Sequence, residues 1–356
     1  MTQAAVVAAY GSNSPSNRNK IINGAMVIDQ RNSGASITAS NTVTFTVDRF
    51  NSYGSAAAKY TVQQNAGSVT PPAGFTNYLG CTSSSAYSVG ASEFFAVSQN
   101  IEGVNTADLS WGTASAKTVT LSFQAYSSLT GTFGGVIYNA LFNRSFPFTY
   151  TISSANTWTS ISIPIAGDTS GTWAGYAVGL TLSFSLGAGA SVSGTAGAWG
   201  GAGYRAATGG TSVVGTSGAT WYVTGVQLEA GSVATPFEYR SYGAELSLAQ
   251  RYYQKSYDIG TVPGTVTSNG QLGWGAVNAS NGEFFQVRYP VFMRAQPTIT
   301  TYNPANGASG SVRNTTGGAN VTAVINGGGM GGFSNLSAAL TTGSSYLLHY
   351  TVSAEL

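Results

Sequence analysis

Twelve carboxylates, one histidine and one cysteine are the groups this 356-residue chain offers for acid–base, nucleophilic or metal chemistry. Cleaving a glycosidic bond takes two carboxyl groups roughly 5–10 Å apart. The acids here are scattered, and no spacing marks one as an acid and another as its base. A Ser–His–Asp arrangement would have to use His349, which sits in an apolar strand-like run where a structural histidine is expected. One His with one Cys cannot supply a zinc set. Calcium could bind through carbonyls and one or two acids, but no ligand loop is written. Cys81 is alone, so no intrachain disulfide forms, and it is expected as a small, partly buried apolar residue. The expectation is a protein with no catalytic residues, no metal and no cofactor.

Recognition chemistry is better supplied. Sugars are read by aromatic faces laid on C–H patches, with short polar side chains for the hydroxyls. The chain has 20 Tyr and 6 Trp among abundant Asn, Ser, Thr and Gln. Trp158 and Trp221 fall in or beside alternating strands and are expected in the core. Trp173 and Trp199 fall in Gly-rich segments and are candidates for sugar contact, with packing or a subunit interface the competing role for Trp199. Tyr204 and Arg205 share that segment and join the candidate set. In the last hundred residues Trp274, Tyr302 and Asn303 are further candidates.

These residues must be positioned by β structure. Only 7% of side chains are charged and Gly numbers 47, yet 12% are aromatic and the net charge is +2. Disorder goes with few aromatics and high net charge, so a folded β protein is expected. The charge gives no footprint for nucleic acid. No apolar run reaches the length of a membrane helix, and the first residues lack the features of a signal peptide.

Period-two alternation marks strands around Val43–Val47, Tyr60 and Val62, Phe95 and Val97, Val119 to Ala125, Ile161 to Ile165, and Val178 to Leu186. Such runs without helical stretches predict an all-β, antiparallel jelly-roll-like β-sandwich. Residues 225–253 join a strand, an extended Thr235–Pro236 elbow and a helical spacing in which Leu246, Ala249 or Gln250, and Tyr253 share one side. More strands are expected at 285–289, 298–300, 321–325 and 346–352, with 326–333, NGGGMGGF, a loop or hairpin tip. The expected layout is an N-terminal arm at 1–20, a sandwich domain at 21–240, a connecting helix at 241–254 and a smaller β domain at 255–356. The Gly/Ala/Ser tract at 187–218 either hides short strands or is a functional loop.

Several of these segments carry a resemblance. VQLE-x-G-x-x-ATPFE-x-R followed by EL-x-L-x-QRYY, at 226–253, resembles tail-fibre and fibre-tip proteins of tailed bacteriophages. NKIINGAMVIDQRN at 19–32 and TVDRF at 46–50 are similar to the opening of such domains. QNIEG at 99–103 and KTVTLSF at 117–123 also look like the family, while FMRAQPT at 292–298 is a weaker match. The resemblance implies a virion appendage, made in the host cytoplasm, that binds host surface glycan without cleaving it. It also implies a homotrimer, with the N-terminal arm docked on other virion proteins of tail, baseplate or capsid. Gln30, Arg31, Asp48, Arg49, Gln99, Glu102, Glu229, Pro236, Glu238 and Arg240 fall in the matching segments, and a structural role is expected for them. A head fibre, capsid decoration or connector subunit without a receptor role is the alternative, and a glycan depolymerase is a third.

Overall fold

A computed structural model describes residues 18–173, 175–276, 283–317, 320–338 and 340–356. The first part of the chain forms β1 (Ile37–Thr38), β2 (Thr44–Phe45), β3 (Asn51–Gly54), β4 (Tyr60–Gln64), β5 (Leu79–Ser83), β6 (Phe94–Glu102) and β7 (Val119–Ser127). It continues with β8 (Gly131–Asn139), β9 (Ser145–Ile152), β10 (Thr159–Ile165), β11 (Val178–Ala188), β12 (Ser193–Gly194), β13 (Ala206–Ala207) and β14 (Thr220–Ala230). One sheet runs β1-β4-β5-β14-β7-β10 and the other β2-β3-β6-β11-β8-β9. Their pairings are antiparallel. This is the antiparallel sandwich that the alternation predicts.

Inward positions fill the core from both sheets. Phe123 meets Phe184 and Tyr150, each at 5.0 Å between ring centroids. Trp221 is fully buried and donates its indole N–H to Tyr150 Oη at 2.8 Å, so its one polar atom is satisfied. Trp158 departs from the expectation. It lies half-buried on the outer face of the first sheet, against Tyr78 and Tyr126, where these rings and Tyr222 make a separate small cluster. Strands β5, β8 and β9 were not anticipated. Paired glycines at 134–135 and Pro147 obscure the last two, although β9 is a sheet edge where proline is tolerated.

The Gly/Ala/Ser tract does hide strands. β12 and β13 pair in parallel and pack across the outer face of the second sheet, over β8, β9 and β11. Two glycines permit this close approach: a Cβ at Gly194 would strike the Tyr204 ring, and one at Gly203 the Phe142 ring.

The elbow after β14 closes on residues 18–23. Glu229 accepts from Thr235 N at 2.8 Å and pairs with Arg18 at 3.0 Å. Pro236 contributes its carbonyl to Arg18, Glu238 accepts from Asn19 N, and Arg240 donates to the carbonyls of Ile21 and Asn19. Gln99 holds Ile22 by both its N–H and its C=O. Of the expected arm at 1–20, residues 1–17 lie outside the described residues. Arg18 to Lys20 are fastened to their own chain rather than reaching outward.

Helix α1 spans Tyr242–Gln250, shorter than the expected 241–254, because Tyr253 already belongs to the next strand. Ser241 caps it, and its buried positions are Glu245 and Ala249 rather than Leu246. Glu245 accepts from Asn23 N and pairs with Arg240. Then follow β15 (Tyr253–Lys255), β16 (Leu272–Gly275), β17 (Glu283–Arg288), β18 (Thr298–Tyr302), β19 (Ser311–Asn314), β20 (Asn320–Gly329), β21 (Gly332–Ala338) and β22 (Ser345–Ser353). Central β22 pairs with β15, β16, β18 and β19, and NGGGMGGF is the tip of the β20–β21 hairpin.

A buried ionic junction joins this sheet to the sandwich. Glu355 lies between Arg31, at 2.8 Å, and Arg49. Arg49 is 2% exposed, stacks 3.5 Å from the Tyr252 ring centroid and donates to Asn100 O. Arg31 stacks 3.8 Å over Tyr253 and approaches Asp48. Glu102 receives Arg251 and Arg294. Gln30 donates to Asp48 and to Tyr253 O.

Two outcomes follow. Glu355→Gln leaves Arg49 buried without a carboxylate, so stability is expected to fall by about 3 kcal/mol in thermal or urea unfolding. Burial pushes the Asp48 carboxyl up to about 6, against the pull of Arg31. The folded protein then keeps a proton on Asp48 between about pH 4 and pH 6 that the unfolded chain has released. Stability contributed by this group therefore falls as pH rises through that window, and Asp48→Asn is expected to flatten the slope measured by urea midpoints across it.

Candidate functional site

At the end of the sandwich where β6 and β10 stop, three loops bring tryptophans together. Trp111 comes from the β6–β7 connection, Trp173 from the β10–β11 connection and Trp199 from the tract after β11. Their ring centroids are 4.8 Å apart for Trp111–Trp173, 5.2 Å for Trp111–Trp199 and 5.5 Å for Trp173–Trp199, all edge-to-face. Each indole N–H is taken by a backbone carbonyl: Lys117 O at 2.8 Å, Ser170 O at 3.3 Å and Ala166 O at 2.6 Å. The rings are thereby fixed in orientation, and what they offer a ligand is faces and edges.

The loops are stapled from behind. Asp168 is 1% exposed and forms a forked pair with Arg144, Oδ2 accepting from Nε at 2.9 Å. Asp168 Oδ1 also accepts from Ser170 N, and its carbonyl from Gly112 N. Asn139 donates to Thr172 O. Gly112 has φ +86°, and a Cβ there would meet Gly171 O at 2.7 Å and the Trp173 ring at 3.1 Å. Only glycine allows the two loops to close over Trp111.

A cleft of about 510 Å³ opens beside Trp111 and Trp173. Thr106, Ser110, Thr113 and Ser115 supply hydroxyls, and Gly103 and Gly175 complete much of the wall. No carboxylate, lysine or arginine lines it among the described residues. Tyr176, one residue beyond Gly175, is 91% exposed. The arrangement suits a neutral polyhydroxylated ligand: ring faces for C–H patches, hydroxyls for hydroxyls, and no charge to desolvate.

Of the candidates read from sequence, Trp173 and Trp199 meet here, half-buried rather than freely exposed. Trp111 was not singled out, since 62 positions separate it from Trp173 (111 to 173). The Trp–Gly dipeptides at 111–112 and 199–200 were the available signal. Tyr204 and Arg205 lie on the same tract but over the second sheet, where the Arg205 guanidinium is 3.9 Å from the Phe142 ring centroid. The remaining three lie in the second β unit. Trp274 stacks on Tyr346 at 5.7 Å, and Tyr302 approaches Tyr257 at 6.1 Å. Asn303 is fully buried and accepts from Ala305 N, so it makes a turn and has no surface for a ligand.

His349 is fully buried, stacked on Tyr257, with Ser256 Oγ at Nδ1 and Thr267 O at Nε2. A carbonyl acceptor at Nε2 requires the proton there, and burial pushes the imidazole pKa down. Cys81 is buried with its thiol pKa pushed up. Among the described residues no group of three His, Cys, Asp or Glu could hold a metal ion, and no helix is long and apolar enough to cross a membrane.

No family model and no curated protein matches this sequence. Among solved structures, a putative sugar binding protein from Bacteroides thetaiotaomicron aligns at 12% identity over 60% of this chain and all of its own, with a TM-score of 0.33. The enzymatically active domain of tailspike protein 4 from bacteriophage CBA120 aligns at 13% identity over 61% of this chain, with a TM-score of 0.31; the alignment spans only 22% of that domain. A family 11 carbohydrate-binding module from Clostridium thermocellum aligns at 12% identity over 56% of this chain and 98% of its own, with a TM-score of 0.28.

Asp168→Ala removes the staple and leaves Arg144 unpaired. The expected result is a loss of about 2 kcal/mol in unfolding stability, together with a red shift of tryptophan emission as Trp173 loosens.

Proposed function

We propose that this chain is a non-enzymatic, glycan-binding subunit of a bacteriophage fibre that attaches the virion to its host. The tryptophan cleft carries the binding part of this reading. Trp111 and Trp173, held in orientation with Trp199 packed against both, and a wall of neutral hydroxyls form a surface made before the ligand arrives, so little side-chain order remains to be imposed on binding. Acids beside the lining segments are engaged elsewhere: Glu102 holds Arg251, Asp108 holds Lys20 and Asp168 holds Arg144. Among the described residues none in the lining plays acid to a glycosidic oxygen, which favours binding over cleavage.

The attachment part rests on the resemblance of 19–50 and 226–253 to fibre proteins. Most residues of those segments named above fasten the sandwich to its elbow and to the C-terminal sheet, which is work a fibre tip needs whatever its receptor. A trimer held on other virion proteins through the residues before Arg18 belongs to the same proposal. Several copies on one particle would raise affinity for a dense surface polysaccharide without a strong single site.

Purified protein is titrated with host surface polysaccharide and with neutral oligosaccharides, following tryptophan emission and heat. Saturable binding is expected, and Trp173→Ala is expected to weaken it about tenfold, or about 1.4 kcal/mol, while the fold is retained. Binding to host cells that competes with the phage, and is lost on mutants lacking the polysaccharide, supports attachment. A folded protein that binds none of these overturns the reading in favour of a decoration or connector subunit, and release of reducing ends favours a depolymerase.

A further inference from the structure

Ten arginines are present in the chain. Seven of them, Arg18, Arg31, Arg49, Arg144, Arg240, Arg251 and Arg294, are ion-paired with carboxylates. Arg288 and Arg313 are exposed on β17 and β19 of the C-terminal sheet. Arg205 fits neither group. It is half-buried, no carboxylate reaches it among the described residues, and aromatic rings surround it. Its guanidinium carbon lies 3.9 Å from the Phe142 centroid, 4.5 Å from Phe94 and 5.5 Å from Tyr138. The hydroxyl of Tyr138 accepts from Nη1 at 3.3 Å.

The setting is built rather than incidental. Phe94 at the start of β6 and Tyr138 near the end of β8 stand on the outer face of the second sheet. Between their levels the outward positions are small: Ala96 and Ser98 on β6, Ser183 and Ser185 on β11, with Ser98 and Ser183 directly paired. That shallow floor leaves room for a guanidinium to lie along the sheet. Tyr53 on β3 extends the row, its ring 5.2 Å from Phe94, and Phe142 packs on Tyr138 at 4.8 Å. Tyr53, Phe94, Tyr138, Phe142 and Arg205 are all half-exposed. The result is a band of ring surface across three strands with one planar cation set in it.

Aromatic rings hold a guanidinium in place without neutralising it, and the N–H donors that Arg205 does not give to Tyr138 are left for a bidentate acceptor. In a protein whose other enclosed arginines are matched with carboxylates, the missing acid is the observation to explain. We propose that Arg205 and its aromatic band form a second ligand site, distinct from the tryptophan cleft, that takes a carboxylate- or phosphate-bearing sugar unit. The acid group supplies the absent counter-charge, and the adjoining sugar rings lie on Phe94 and Tyr53. This rests on the glycan-binding reading and adds to it the class of glycan, an anionic one.

The test compares trigalacturonate with its fully methyl-esterified form, and a glycerol phosphate trimer as the phosphate source, by calorimetry at 50 and 500 mM NaCl. The intact 356-residue chain is expected to bind at least one acidic probe ten or more times tighter than the ester at low salt, with the preference shrinking at high salt. Which probe binds separates carboxylate from phosphate. Arg205→Gln is expected to erase the preference while leaving affinity for neutral oligosaccharides unchanged. Arg205→Lys, which keeps charge but not the fork, is expected to retain part of it. Equal affinity for acid and ester, binding of neither acidic probe, or a preference that survives Arg205→Gln overturns the proposal. The wild-type comparison stands even where a variant fails to fold. Neutral binding is read separately through Trp173→Ala, so failure of the cleft leaves the Arg205 result interpretable, and the reverse holds too.

Discussion

Arg49 is the residue on which the arrangement of the two β units turns. Its backbone sits at φ 72°, a left-handed conformation that costs a non-glycine residue of order 1 kcal/mol or more. From there its guanidinium lies flat on Tyr252, donates to the Asn100 carbonyl on β6 and meets Glu355 just beyond β22. One side chain thus touches the helix–strand junction, the second sheet of the sandwich and the end of the central strand of the other sheet. A buried charge pair is seldom a net gain over an apolar contact, but breaking one is expensive. Such a junction fixes geometry more than it adds stability, and it makes the small sheet an extension of the sandwich rather than a tethered companion. Asp48, Arg31 and Glu102 repeat the device around it.

The parts of this design that were legible in the sequence are those with local period. Val119 to Ala125 and Leu180 to Leu186 announce strands because each inward apolar residue but the last is followed by an outward polar one. β8 and β9 escaped because Gly134 and Gly135 replace side chains where the β12–β13 tract and the Phe148 ring press on the sheet. Their composition answers to contacts made by residues far away. The helix misled for a related reason. Its buried side is Glu245 and Ala249, since Arg240 and Asn23 wait for a carboxylate there, and no hydrophobic periodicity encodes that. The site divides in the same way. Trp173 and Trp199 could be suspected from their loops, but Trp111 acquires meaning only when Asp168 and Arg144 close the connection over it. Trp158 shows the converse, an aromatic just ahead of the alternating strand β10 that packs on the outer face of the sheet.

The glycine content, which might have suggested disorder, works as a set of clearances. Gly112 admits the Trp173 ring, and Gly203 admits Phe142 beneath the tract that carries Arg205. Both candidate ligand surfaces therefore depend on the 195–205 stretch: Trp199 completes the tryptophan cluster at one end, and Arg205 occupies the aromatic band at the other. A single irregular segment, laid on a rigid sheet, presents side chains to two places that regular strands could not reach. This is the usual division between a scaffold and the loops it positions.

With 26 charged side chains in 356 residues, few are left over for a ligand once the internal pairs are made. Glu229, Glu238, Glu245, Glu102, Glu355, Asp48 and Asp168 all hold a cation of the same chain. What remains outside is mostly hydroxyl, amide and ring, with Arg288 and Arg313 among the exposed charges. Such a surface gives modest energy per contact but is not screened by salt, and it can approach a copy of itself without stripping water from ions. Specificity on a background this neutral falls to shape, and to the rare charge left unmatched. The tryptophan cleft supplies the shape. Arg205 is the enclosed arginine that breaks the rule of internal pairing, so one guanidinium there carries more discrimination between neutral and acidic ligands than it would on an ordinary, densely charged protein surface.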